Sequence, residues 1–188
     1  MGSEDKKIKN WNDFHHKEQV YSLSHLCEFE WTYTQAAKGA NPERKYKFTV
    51  EFGLHCFTYA PNKNKGETLN SFPKDLNYSD SRETRIFCFK RWKLSFRLQD
   101  IAKDISQKHC YNTGKGNFFT IELINENTGD VEEYEIYFKV SRDKKGWLRL
   151  FVQSAYIRDQ SHGTTQPDKK KIGFFIIAKK VQEKKTIQ

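Results

Sequence analysis

Residues 117–159 alternate apolar and polar side chains along three runs that are separated by short turn sequences. The runs read NFFTIELI, EYEIYFKVSR and LRLFVQSAYIRD, and the turn sequences NENTGD and RDKKG lie between them. Because side chains of a β-strand alternate between two faces, each run predicts a strand with one apolar face. Turns this short join antiparallel neighbours. We therefore expect a β-meander, with KKIGFFIIAKKV (residues 170–181) as its fourth strand.

The N-terminal third of the chain predicts a second group of strands. Residues 20–33 and 45–59 alternate aromatic or aliphatic side chains with polar ones, and the turn sequence QAAKGANPERK lies between them. This pattern predicts a long antiparallel hairpin. Residues 1–18 are polar and show no period, which indicates a flexible arm in which Trp11 and Phe14 are the side chains able to dock.

The stretch between these groups changes character twice. Residues 60–81 are rich in turn-forming residues and predict a long surface loop, which the short strand TRIFCFK follows. Four apolar residues then recur with helical spacing: Leu94, Leu98, Ile101 and Ile105. This stripe predicts one amphipathic helix near residues 94–108.

Together these elements predict an α+β fold, with an antiparallel sheet of about six to seven strands and one main helix. The length of 188 residues is enough for one domain with a sizeable core. We place that domain at residues 19–181, with long loops at 60–81 and 159–170. Residues 182–188 form a flexible, Lys-rich tail.

The chain is basic, with 33 Lys and Arg against 24 Asp and Glu and a formal net charge of +9. Such an excess favours polyanionic partners, either single-stranded nucleic acid or an acidic protein partner such as an antitoxin. The chain has no apolar run as long as a membrane span, and residues 1–18 lack the apolar stretch of a signal peptide. We therefore expect no membrane contact and a cytoplasmic location.

The four cysteines are scattered, and their spacing matches no familiar zinc site. They are Cys27, Cys56, Cys88 and Cys110. In a cytoplasmic protein such residues are expected to remain free thiols. We expect neither a metal ion nor a cofactor.

Basic and aromatic residues are interleaved in RETRIFCFKRWKLSFR, residues 82–97, where six basic side chains face one acid. Basic groups neutralise phosphates and aromatic rings stack on unpaired bases, so this segment is a candidate surface for single-stranded nucleic acid. The same alternation also fits an ordinary strand with phenylalanines inward and cations in water. The candidate nucleic-acid-binding residues are Arg82, Arg85, Lys90, Arg91, Trp92, Lys93, Arg97 and, beyond the helix, Lys115.

Polar residues occupy the far end of one predicted strand face. Leu148, Leu150 and Val152 are followed, on the same alternation, by Ser154, Tyr156 and Arg158. A hydroxyl, a phenol and a guanidinium are costly to bury without partners. The pattern therefore indicates either a polar pocket at the end of the sheet or a strand that ends in water.

These residues suggest metal-independent RNA cleavage, which needs a base, cations at the phosphate and an acid. His109 or His55 can exchange protons near neutral pH. Arg158, Arg85 or Lys115 can hold a phosphate, and Tyr156 can donate a proton or stack on a base. The candidate catalytic set is His109, Ser154, Tyr156 and Arg158.

A helix followed by a four-stranded antiparallel meander whose penultimate strand contains Ser-Ala-Tyr resembles the RelE- and barnase-like ribonuclease toxins. The resemblance covers about residues 92–181. It implies a metal-free site made of a His, an Arg, a Ser or Thr and a Tyr. The matching positions are His109, Arg97 or Arg158, Ser154 and Tyr156.

We therefore expect a metal-independent RNA-cleaving or RNA-binding protein of bacterial toxin or defence type, with single-stranded RNA as the favoured partner. One alternative is a non-catalytic module that binds nucleic acid with the same basic surface. Another is a protein-interaction subunit whose sheet edge and aromatic residues dock on a larger partner.

Overall fold

A computed structural model describes residues 10–40, 42–113, 118–124, 133–143, 146–157 and 170–187. The strands are β1 (Phe14–His16), β2 (Gln19–Tyr21), β3 (Phe29–Gln35), β4 (Arg44–His55), β5 (Thr58–Tyr59), β6 (Asn77–Ser79), β7 (Thr84–Phe87), β8 (Cys110–Asn112), β9 (Phe118–Ile124), β10 (Glu133–Arg142), β11 (Leu148–Ile157) and β12 (Lys170–Ile172). The helices are α1 (Phe89–Ser95), α2 (Leu98–Lys103) and α3 (Phe174–Gln182).

The largest sheet has seven strands in the order β12-β8-β9-β10-β11-β4-β3. Two small sheets accompany it, one formed by β1 and β2 and the other by β5, β7 and β6. The prediction of an α+β fold is confirmed. The large sheet is mixed rather than wholly antiparallel, however, because β4 and β11 run parallel. Residues 56–147 separate these two strands, which is ample length for a parallel crossover.

One face of the large sheet carries the core. Leu148, Leu150 and Val152 of β11 lie beside Phe48, Val50 and Phe52 of β4, and all six are buried. Helix α3 packs on β10 and β11. Helix α2 adds its buried residues to the same cluster, including Leu98 and Ile101.

The predicted meander is correct for three strands and wrong for the fourth. Strands β9, β10 and β11 pair in order as antiparallel neighbours. Residues 170–181 instead contain the short strand β12, which pairs with β8, and then helix α3. In this helix Phe174, Ile177 and Ala178 are buried at helical spacing, whereas Ile176 is exposed. The buried residues of this segment therefore repeat every 3.6 residues, as in a helix, rather than every second residue, as in a strand.

The predicted helix near residues 94–108 is present in pieces. Helix α1 ends at Ser95, α2 ends at Lys103, and a 3-10 turn follows at Ile105–Gln107. The first break lies where the Arg97 N–H donates to the Leu94 carbonyl, three residues back. The apolar stripe nevertheless serves as predicted, because Leu98, Ile101 and Ile105 are buried.

The predicted N-terminal hairpin is correct between β3 and β4, which pair as antiparallel neighbours from Phe29 to Gln35. Residues 19–21, however, pair with residues 14–16 in the separate β1–β2 hairpin. Trp11 donates from Nε1 to the Phe52 carbonyl, and Phe14 stacks on Phe87 with ring centroids 3.8 Å apart. The described part of the predicted arm is therefore folded onto the domain through the two residues expected to dock.

A β-bulge in β11 changes which residues face the core. Tyr137 pairs with Ser154 while the next residue of β10, Phe138, pairs with Val152, so Gln153 is an extra residue in β11. Beyond the bulge, Ala155 is fully buried, and Tyr156 pairs with Glu135.

This extra residue reverses the alternation of β11. Glu135 lies between Tyr134 and Ile136, which belong to the core, so Glu135 and its partner Tyr156 lie on the opposite face of the sheet. The prediction that Ser154 and Tyr156 continue the face of Leu148 is wrong for this reason. Arg158 lies outside the described residues.

The segments predicted as loop and tail contain more order than their composition indicates. Residues 60–81 hold three 3-10 turns and strand β6. In the predicted tail, Ile187 is half-buried against the core. The described part of the predicted loop at 159–170 is Lys170, the first residue of β12.

All four cysteines are free thiols, and Cys56 and Cys110 are buried. Burial raises the pKa of each of these two thiols to about 12. Both therefore remain protonated and unreactive near neutral pH. The described residues contain no group of three or more His, Cys, Asp or Glu side chains able to hold a metal ion.

Gly53 fits where β4 passes the bulge of β11, and its replacement tests this packing. A Cβ atom at position 53 would lie 2.7 Å from the Gln153 carbonyl oxygen and 3.1 Å from the Phe151 ring. The added methyl group could be accommodated only if the backbone at Gln153 moved, which is energetically costly. We therefore expect Gly53→Ala to lower the free energy of unfolding by about 1–3 kcal/mol in denaturant titrations.

Gly173→Ala is the matched control for this prediction. A Cβ atom at position 173 meets nothing within 4 Å, and the residue has an ordinary φ of −75°. We expect a change within about 0.5 kcal/mol. Equal losses in the two variants would contradict a close approach between β4 and the bulge.

Candidate nucleic-acid interface

An open groove of about 930 Å³ lies between the β1–β2 hairpin and helix α1. Its lining residues are His16, Lys17, Glu18, Gln19, Tyr21, Phe89, Trp92 and Lys93. Five of the eight come from the hairpin and three from the helix. We call this surface the aromatic groove.

Helix geometry explains why α1 presents these side chains together. Phe89, Trp92 and Lys93 are spaced at i, i+3 and i+4, which places them on one face. Tyr21 lies between the two aromatic rings of the helix, with centroids 5.0 Å from Phe89 and 5.1 Å from Trp92. The Trp92 Nε1–H donates to the Ser22 carbonyl at 2.9 Å and so fixes the indole against the hairpin.

The aromatic surface continues beyond the groove along α1. Trp92 contacts Phe96 edge to face, with ring centroids 5.2 Å apart. Phe96 in turn stacks on His25 at 3.8 Å, with ring planes 10° apart. Phe96 remains 50% exposed, which is unusual for so large an apolar side chain. We call the series Phe89, Trp92 and Phe96 the aromatic ledge.

Only part of the predicted basic segment reaches this surface. Lys93 lines the groove together with Lys17 of the hairpin. Lys90 and Arg97 are exposed on the same stretch of chain, and the Arg97 guanidinium lies 5.8 Å from the Tyr134 ring centroid. Two lysines thus line the groove, and two further exposed cations are neighbours of the ledge residues in the sequence.

The other predicted cations lie elsewhere. Arg82 is exposed and is bonded through Nε and NH2 to Asp80. Arg85 and Arg91 point inward, and Arg91 lies 5.1 Å from the Tyr156 ring centroid. Lys115 lies outside the described residues.

The candidate catalytic residues are not gathered at one point within the described structure. His109 precedes β8, and its Nε2 lies 3.2 Å from Lys171 Nζ. Tyr156 lies on β11, three strands away in the sheet order, or about 14 Å at the usual strand spacing. Ser154 pairs with Tyr137 on β10 and with His55 on β4.

Tyr156 belongs to a polar network of its own. Burial, followed by hydrogen bonding to Tyr137, raises the pKa of the Tyr156 phenol well above its usual range. The Tyr137 hydroxyl donates to Glu135 at 3.0 Å, and Glu135 is almost completely buried. A phenol held in this way remains protonated at neutral pH.

Comparison with known proteins identifies the family of this chain. Residues 13–182 match the model of the YjaZ family. The protein is also 31% identical over 175 residues to Protein YjaZ of Escherichia coli (strain K12), which covers 92% of this chain and 90% of that protein. The chain belongs to the YjaZ family. No solved structure matches it.

The resemblance to RelE- and barnase-like toxins stays a prediction, since none of these matches bears on it. The predicted four-stranded meander that suggested the resemblance is not present as such, because most of its fourth predicted strand is helix α3. No helix in the described parts of the chain is long and apolar enough to cross a membrane.

Sequence reasoning missed the hairpin wall of the aromatic groove. Residues 14–21 lack the Asn-Gly or Asp-Gly pair that marks a two-residue hairpin turn. Lys17 instead adopts a positive φ of 54° at this turn. The available signal was the pair of docking aromatics, Trp11 and Phe14, which shows that the segment cannot be wholly detached.

His25, which stacks on the end of the ledge, has a constrained hydrogen-bond arrangement. Its Nε2 lies 2.6 Å from Ser95 Oγ, and this hydroxyl itself donates to the Trp92 carbonyl. Ser95 Oγ must therefore accept a hydrogen bond from the His25 Nε2–H. The buried Nδ1 then carries the lone pair, and no described residue is hydrogen bonded to it.

Burial lowers the pKa of His25 from its usual 6.5, which makes stability depend on pH. Below about pH 6.5 the His25 imidazole binds a proton in the unfolded chain but remains neutral in the folded chain. The stabilisation is complete above the unfolded pKa and is lost as the pH falls toward the lower, folded pKa. We expect the free energy of unfolding to decrease as the pH falls below about 6.5, and to decrease less in His25→Gln.

NMR titration of the His25 ring protons measures the same effect directly. The expected midpoint lies below the usual value of 6.5. A midpoint at or above that value, or an unchanged pH dependence in His25→Gln, would show that the imidazole is not held neutral by burial.

Proposed function

We propose that this protein binds single-stranded RNA in the aromatic groove and along the aromatic ledge. The observation that carries the proposal is the presence of Tyr21, Phe89 and Trp92 with Lys17 and Lys93 in one open groove. Aromatic rings offer stacking faces to unpaired bases, and lysines neutralise the phosphates between them. The net charge of +9 acts in the same direction by attracting polyanions.

The length of the ledge sets the expected footprint. Phe89 and Phe96 are seven residues apart along the chain, which corresponds to about 10 Å of helix. Stacked bases are about 3.4 Å apart, so the ledge matches about three nucleotides. A duplex keeps its bases stacked on each other and cannot offer them to these rings, which favours a single strand.

Two groove residues favour RNA over DNA. Glu18 and Gln19 line the groove beside Lys17 and provide side-chain oxygens, of which Gln19 Oε1 already accepts a hydrogen bond from the Tyr21 hydroxyl at 2.6 Å. A 2′-hydroxyl can donate a hydrogen bond to such an oxygen, whereas deoxyribose has no donor there.

Binding without cleavage is the form of the proposal that the geometry supports best. Tyr156 is engaged with Tyr137 and Glu135, and His109 lies about three strand spacings from it. RNA cleavage of toxin or defence type stays a prediction, as do an acidic protein partner and a cytoplasmic location.

Incubation of the metal-free protein with single-stranded RNA tests cleavage. We expect the RNA to remain intact, whereas new fragments with cyclic phosphate ends would support the catalytic hypothesis.

Salt dependence tests the phosphate contacts. We expect the double variant Lys17→Ala/Lys93→Ala to weaken RNA binding and to flatten the plot of log K against log salt by about 0.7 for each lost phosphate contact. Fluorescence anisotropy with a labelled oligonucleotide measures both quantities. Arg91 is left unchanged because it points away from the groove.

The matched control for the salt experiment is Lys63→Ala/Lys65→Ala. Both lysines are exposed in a 3-10 turn outside the groove, and the change in charge is identical. We expect the control to keep most of the wild-type slope. Equal flattening in the two double variants would indicate only a general effect of net charge.

Stacking is tested at the exposed end of the ledge. We expect Phe96→Ala to weaken binding by about 1–3 kcal/mol, the usual value for one stacked base, while the protein remains folded. Ile176→Ala removes another exposed apolar side chain, on α3, and should leave affinity unchanged. If Phe96→Ala binds RNA as tightly as the wild type, the ledge does not stack on bases.

A further inference from the structure

Two arginines of the basic segment turn away from the aromatic groove and converge on Thr58. The Arg85 Nε–H donates to Thr58 Oγ1 at 3.0 Å. The Arg91 NH1 group donates to the Thr58 carbonyl at 2.7 Å and to the His55 carbonyl at 3.1 Å. Thr58 is completely buried, so both guanidinium groups are anchored at a fixed point of the fold.

This cluster carries more positive than negative charge. Glu83 is the carboxylate that its members share, accepting from Arg85 NH1 at 3.2 Å and contacting His55 Nε2 at 2.8 Å. Arg91 has no carboxylate partner among the described residues. Burial lowers the pKa of Arg91, and the neighbouring Arg85 lowers it further. An anion placed here would compensate a charge that the fold leaves unbalanced.

Several hydrogen-bond donors of the cluster remain available. Among the described residues, Arg91 is bonded through NH1 alone, and the NH2 group of Arg85 has no partner. The parallel register of β4 and β11 places Ser154 beside His55 and adds a hydroxyl at the same end of the sheet. His55 is 30% exposed, so the cluster is open to solvent on that side.

We propose that Arg85 and Arg91, with Ser154, form a binding site for a phosphate group beside His55. Two guanidinium groups and a hydroxyl suit a tetrahedral oxyanion, which offers several acceptor oxygens in different directions. The His55 imidazole, whose Nε2 contacts Glu83, lies beside them. Arg91 lies on the face of α1 opposite Phe89 and Trp92, so this site is separate from the aromatic groove. It does not rest on the proposed RNA binding.

Titration with inorganic phosphate, followed by NMR of the His55 ring protons, tests the site in the unmodified protein. We expect a saturable shift of these protons, because a bound dianion would lie beside the imidazole. Acetate at equal ionic strength is expected to produce no saturable shift. Absence of saturation with phosphate, or an equal response to acetate, would overturn the proposal.

Two arginine variants test whether the cluster itself binds the phosphate. Arg85→Gln removes a guanidinium from the cluster, whereas Arg82→Gln removes one that is bonded to Asp80 two residues away. We expect phosphate affinity to fall about tenfold in Arg85→Gln and to be kept in Arg82→Gln, since a hydrogen bond to a charged group is lost only in the first. Equal affinities in the two variants would contradict the assignment. The wild-type titration decides the matter if Arg85→Gln does not fold.

Two oligonucleotides distinguish the sources of the phosphate group. If the site receives the end of an RNA strand, a 5′-phosphorylated oligonucleotide binds about tenfold more tightly than its 5′-hydroxyl form. If it receives a free phosphate or a small phosphate ester, the two oligonucleotides bind equally while inorganic phosphate still saturates the His55 shift. Lys17→Ala/Lys93→Ala should leave that shift intact, so failure of RNA binding and failure of this site give different results.

Discussion

The parallel pairing of β4 with β11 is the constraint on which the rest of the structure depends. It places β4 inside the seven-stranded sheet and joins the N-terminal hairpin to the C-terminal meander as one core. The strands fit closely because Gly53 has no side chain where it passes the backbone of Gln153. The pairing also brings the end of β4, at His55, beside Ser154. Both the core and the proposed phosphate site therefore follow from a single long-range contact.

Arg91 connects that strand end to the aromatic surface. Its guanidinium is held by the carbonyls of His55 and Thr58 and lies over the Tyr156 ring, contacts that offset part of the cost of burying its charge. Because α1 is anchored on this face, its opposite face with Phe89 and Trp92 turns toward the β1–β2 hairpin. The groove therefore has one wall whose orientation is set by a buried charge rather than by apolar packing alone.

Local periodicity is sufficient for the elements that are paired through short turns and insufficient for the others. The β3–β4 hairpin and the strands β9 to β11 follow directly from alternation. The run FFII at the start of α3 is too short and too apolar for periodicity to distinguish helix from strand. The bulge at Gln153 has no signal in the sequence, yet it moves Tyr156 to the other face of the sheet. The candidate site was predictable on α1, at Trp92 and Lys93, whereas for the hairpin the sequence offers only the two docking aromatics, Trp11 and Phe14.

The helix itself contained a stronger signal for the site than its charge count. On a helical projection of residues 89–105, the stripe of Leu94, Leu98, Ile101 and Ile105 occupies one side, and Phe89, Trp92 and Phe96 occupy the other. The two stripes lie on opposite sides of the projection, so one face of the sheet cannot cover both of them. The aromatic stripe must therefore pack on a separate element or remain in solvent. The hairpin lies beside Phe89 and Trp92, which stay half-buried and line the open groove, and Phe96 is half exposed. Large aromatic residues opposite a complete core stripe are thus better evidence for a binding surface than cations, which occur on any exposed face.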